Sequence, residues 1–69
     1  MDAIVHLIVD RLHVGQSNRA VLAYVRAKIT RGARYGRRYK ADRKRVYRIA
    51  LRRHAANRRL YIQVTSGAF

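Results

Sequence analysis

The chain has 69 residues, no cysteine, no proline and a formal net charge of +14, from seventeen Lys and Arg set against three acids. That length holds one domain near the lower limit for independent folding, and the missing cysteines exclude a disulfide framework or a thiolate metal site. So much like charge repels itself in a small fold, and an external polyanion relieves the repulsion; residues 1–69 are accordingly expected to form a single basic nucleic-acid-binding domain.

The predicted elements begin with a helix over residues 2–13. Asp2 is placed to cap it, and Ile4, Val5, Ile8, Val9 and Leu12 repeat as one apolar stripe while His6, Asp10 and His13 share the other side. The β-branched content makes a strand the competing assignment. Gly15 is a reasonable terminator. The apolar run is too short to span a bilayer and lacks a basic n-region, so the chain is expected to be cytoplasmic or nucleoid-associated and not secreted.

A second helix is predicted from Ser17, a good N-cap, to Gly32, a good C-cap residue. Val21, Leu22, Val25 and Ile29 form its apolar face, and Arg19 and Arg26 project to solvent. Ala20, Ala23 and Ala27 make a small-residue side suited to close helix approach. Residues 32–41, GARYGRRYKA, contain no aliphatic anchor and read as a loop in which Arg and Lys alternate with Tyr35 and Tyr39. Aromatics spaced among arginines can stack on unpaired bases, or they can fold back onto the core.

Asp42 then suits the start of a third helix over residues 43–61, because its charge complements the positive end of the helix dipole. Val46, Ile49, Ala50, Ala56 and Leu60 gather on one face, with Tyr47, His54 and Tyr61 beside them. Arg45, Arg48, Arg52 and Arg59 fall within a ~60° sector on the other face, at ~100° per residue. Arg53 lands on the apolar side and Leu51 on the polar side. From Tyr61 to Phe69 the alternation of Ile62 and Val64 with Gln63 and Thr65 predicts an extended segment, followed by a Ser66-Gly67 turn signal.

Catalysis finds little support. The chain has no glutamate, no phosphate-cradling glycine loop and no nucleophile elbow, and His6 and His13 lie two helical turns apart, too far to chelate one ion readily. No enzyme activity and no cofactor are expected. The sharpest signal is the arginine ridge on the third helix, since an α-helix fits the major groove of B-DNA and arginine forks match phosphates and guanine edges.

The stretch Val46 to His54 followed by Leu60 to Phe69 resembles the recognition helix and first wing strand of winged helix-turn-helix DNA-binding domains. This resemblance, over residues 46–69, implies DNA reading through the third helix and a short β-hairpin after it. The glycine usual before the Leu is replaced here by Arg58-Arg59, and a second hairpin strand is missing.

The sequence is thus read as a mainly α, three-helix, helix-turn-helix-like domain with a short C-terminal extended segment. It is expected to bind nucleic acid, duplex DNA in preference to RNA, as a minimal regulator, an architectural protein or a phage or mobile-element accessory factor. The expected binding residues are Arg34, Tyr35, Arg37, Arg38, Tyr39 and Lys40 in the loop and Arg45, Arg48, Arg52 and Arg59 on the third helix. The rival readings are an RNA-binding or ribosome-associated module and a non-enzymatic inhibitor docking on an acidic protein. Pairing of two copies through the N-terminal apolar stripe is the expected route for burying surplus aliphatic surface.

Overall fold

Ser17 opens the best-defined helix in the manner its sequence predicts: the Ala20 main-chain N–H donates to its Oγ at 3.1 Å, satisfying one of the orphan donors of the first turn. The computed structural model describes residues 2–31 and 33–66, apart from the side chains of residues 33–36 and 38. Among these residues the chain is three helices with no strand, α1 (Asp2–Asp10), α2 (Asn18–Arg31) and α3 (Ala33–Thr65). The mainly α, three-helix expectation holds. Gly32 and Gly67, assigned to a helix stop and a turn, lie outside the described residues.

α1 is shorter than predicted. It closes at Asp10 with tight bonds from Arg11 N–H to Ile8 O (3.3 Å) and from Leu12 N–H to Val9 O (2.9 Å), and Gly15 sits in the turn that follows, its N–H donating to His13 Nδ1 at 2.9 Å. α2 buries the predicted stripe Val21, Val25 and Ile29. Of the alanines expected to permit close helix approach, Ala23 and Ala27 are exposed and Ala20 is half-buried.

α3 overturns two expectations. Residues 33–41 are helical and not a loop, and the helix turns at Asp42, whose φ of −114° and ψ of 26° leave the helical region. Asp42 therefore does begin the second arm, although among the described residues its carboxylate receives no main-chain hydrogen bond. The arm before it is held because Tyr39 supplies the missing anchor, 4% exposed within the core. The second correction concerns the C-terminus: residues 61–65 continue the helix, so among the described residues neither the extended segment nor the wing strand implied by the winged-helix resemblance is formed. A lone strand has no ladder partner, whereas a helix satisfies its own main chain. The Thr65 hydroxyl bonds back to Tyr61 O at 2.8 Å, and Ser66 Oγ to Gln63 O at 3.3 Å.

α1 and α2 each lie mainly against α3 and touch each other less. The core runs between them: Val5 and Val9 from α1, Val21, Val25 and Ile29 from α2, and Tyr39, Val46 and Ala50 from α3. Ile8, Leu12, Leu22, Tyr47 and Ile49 pack around it, half-buried. Of the N-terminal stripe, Val5 and Val9 are buried within the chain, and Ile4, Ile8 and Leu12 are half-buried. The molecule measures 43 × 17 × 16 Å with a radius of gyration of 13.0 Å, above the ~11 Å of a compact chain of this length, because α3 outruns the α1–α2 hairpin. No helix among the described residues is long and apolar enough to cross a membrane.

Candidate nucleic-acid interface

The burial pattern of the second arm of α3 fixes its orientation. Val46, Ala50 and His54 are buried at i, i+4 and i+8, so the side of the helix away from α1 and α2 is the one bearing Arg45, Arg48, Arg52 and Arg59, all exposed. From Arg45 to Arg59 the ridge covers about 21 Å at 1.5 Å per residue. Arg45 approaches Asp2 Oδ1 at 3.7 Å, a surface pair with both side chains exposed and therefore worth ~1 kcal/mol or less. Arg48, Arg52 and Arg59 have no acidic partner among the described residues.

Near the bend, Lys40 of the first arm and Arg43, Lys44, Arg45 and Arg48 of the second surround an open cleft of about 400 Å³, with Asp42 the one acid in its lining. The cleft extends the basic surface across both arms and adds Arg43 and Lys44 to the set expected from the sequence. The run Arg43-Lys44-Arg45 carries their signal in the sequence, although Arg43 and Lys44 fall outside the ~60° sector of the ridge.

The residues assigned to the supposed loop divide. Arg37 and Lys40 are exposed on the first arm of α3. Arg34, Tyr35 and Arg38 lie on that arm with side chains outside the described residues. Tyr39 is a core residue and not a free stacking platform: its ring meets that of Tyr47 at 6.1 Å between centroids and 59° between planes, with the two hydroxyls 2.6 Å apart. Burial, and after it the hydrogen bond to Tyr47, pushes the Tyr39 phenol above the ordinary tyrosine range. Tyr24 stands at the rim, with Lys28 Nζ 5.4 Å from its ring centroid.

Arg53, the misplaced charge on the apolar face, proves to be a structural clamp. Its guanidinium donates twice to the Asp10 carboxylate, from Nε at 2.8 Å and from an Nη at 2.7 Å, and Asn57 Nδ2 donates to the same carboxylate at 2.8 Å. These bonds, the Arg53 one foremost, hold the Asp10 carboxyl down at about 2. One turn away the buried His54 donates from Nε2 to the Gln16 carbonyl at 2.8 Å. Both contacts bind the α1–α2 turn to the inner face of α3 and leave the outer face to solvent. Asp10 and Arg53 are 43 residues apart, so no local charge pattern announced the pair.

No family model, curated protein or solved structure matches this chain.

Proposed function

We propose that the protein binds nucleic acid, duplex DNA in preference to RNA, through the outer face of α3, and that it serves as a minimal regulator, an architectural protein or a phage or mobile-element accessory factor. The observation that carries this reading is the ridge Arg48–Arg52–Arg59, exposed and without acids to pair it, on the side of the helix opposite the core. A straight, exposed helix face of this kind enters a major groove, where arginine forks reach guanine edges and the flanking phosphates. The burial of Tyr39 removes one aromatic from the surface and favours duplex backbone and groove contact over base stacking on single strands.

The experiment compares two sets of alanine variants on a preferred and a random duplex. Arg48→Ala and Arg52→Ala are expected to lose about 1–3 kcal/mol each on the preferred site and less on the random one. Arg37→Ala and Lys40→Ala are expected to weaken both alike, as phosphate contacts do. Equal losses from both sets mean non-specific coating and remove groove reading from the account. A structured RNA bound more tightly than either duplex at equal salt replaces the DNA reading with an RNA one, and specific capture of an acidic protein that survives nuclease treatment replaces both.

A further inference from the structure

The inner face of α3 does not end where α1 and α2 end. Past Arg53 and Asn57, which meet Asp10, the same face continues through Leu60, Tyr61 and Val64, now 59%, 51% and 55% exposed. With Leu12 and Val14 of the α1–α2 turn they line an open groove of about 350 Å³, Asp10 and Asn57 at its rim. From Leu60 to Ser66 the chain carries no charge at all, in a protein with a net charge of +14. This overhang is therefore an uncharged stretch on which two copies can approach, with Arg58 and Arg59 at its base. Ridge and groove belong to one patch, so a two-fold antiparallel arrangement seats the Leu60–Val64 ridge of each copy in the groove of the other, the self-complementarity that an isologous contact requires.

Two quantities define what such a pair does. Half of Tyr61 is on the order of 100 Å², and half of a Leu or Val side chain about 50 Å². The three from each copy close roughly 400 Å², short of the ~1,200 Å² where stable interfaces begin. Alone in solution the pair is weak and opposed by the charge on both copies; it needs a polyanion to neutralise that charge and concentrate the chains. The second quantity is angular. Leu60 and Val64 each lie twelve residues beyond Arg48 and Arg52, which at ~100° per residue is roughly 120° round the helix. Pairing through the patch therefore points the two arginine ridges outward and away from each other, so one straight duplex cannot meet both.

We propose that the apolar overhang of α3 pairs two copies of the chain across their C-terminal helices, and that the pair holds two duplex segments together. The proposal rests on the duplex-binding reading above and adds to it a partner, a second copy of the chain, and a geometry. Two binding faces on one weak pair act by avidity, so bridging becomes efficient once each face is occupied.

The test is a sandwich capture: one duplex fixed to beads, a second labelled and free, and protein added below saturation of the bound DNA. Wild type is expected to retain the labelled duplex. The double variant Leu60→Gln/Val64→Gln keeps the charge and is expected to lose bridging at least tenfold, while its affinity for one duplex in solution stays within about twofold. Leu7→Gln removes an equally exposed apolar side chain (61%) outside the patch and is expected to bridge like wild type. Circular dichroism of the double variant confirms retained helix; if helix is lost, Tyr61→Gln supplies the same test. Persistent bridging in the folded double variant assigns it to charge condensation and overturns the proposal. Binding of single duplexes without capture by wild type overturns the proposal and leaves the duplex-binding reading standing, whereas absence of any duplex binding overturns that reading and this one together.

Discussion

Asp10 joins a charge to the fold in a way that pH reveals. Its carboxyl is depressed from 3.8 to about 2 by Arg53 and Asn57. The stability it contributes is complete above about pH 4, where the unfolded carboxyl is also ionised, and is lost as pH falls toward 2. Because the carboxylate and its arginine are both more than a third exposed, solvent screening holds the contribution to about 1 kcal/mol or less. Asp10→Asn is expected to melt lower than wild type at pH 7 and to converge with it near pH 2, as thermal unfolding at both values will show. Tyr39 behaves with the opposite sign: its raised phenol supports the fold fully below pH 10, and that support is lost as pH climbs from there through the folded value. Tyr47→Phe leaves the Tyr39 hydroxyl without its 2.6 Å partner in the core and is expected to cost about 1–3 kcal/mol in urea unfolding.

Among the elements, α2 was legible almost entirely, since its cap, apolar face and solvent-facing arginines are local patterns. Replacing that cap, Ser17→Ala, is expected to cost about 1 kcal/mol in the same unfolding experiment. The second arm of α3 was legible in its two faces for the same reason: Val46, Ala50 and His54 are inside and Arg45, Arg48, Arg52 and Arg59 outside, although Ala56 and Leu60, expected on the inner face, are exposed because α1 and α2 do not reach them. What local patterns could not supply was tertiary. The first arm contains no aliphatic residue larger than alanine, and the docking of Tyr39 against Tyr47 anchors residues 33–41 as a helix where the composition suggested a loop. The period-two alternation of Ile62 and Val64 suggests a strand only if a second strand exists to pair with it, and here the helix simply continues. Arg53 looked like a flaw in the amphipathic pattern until Asp10, distant in sequence, was seen beside it.

At the scale of the molecule, structure and charge are kept apart. The inner face of α3 carries the core, the Arg53–Asp10 clamp and the His54–Gln16 tether, and the outer face carries Arg48, Arg52 and Arg59, which no acid among the described residues pairs. The N-terminal stripe, the expected place for two copies to meet, has Val5 and Val9 fully buried by α2 and α3 of its own chain. The larger cluster of exposed apolar side chains, Leu60, Tyr61, Ile62 and Val64, lies at the far end of α3. Fluorescence anisotropy of a labelled duplex, titrated across a series of salt concentrations, tests the central claim most directly. If the outer face of α3 displaces counterions from six to ten phosphates, log affinity falls against log salt with a slope of roughly −5 to −9, and Arg37→Ala/Lys40→Ala, which removes two phosphate contacts, makes that slope shallower by about 2. A flat salt response, no binding at low salt, or a slope untouched by the double variant would contradict it.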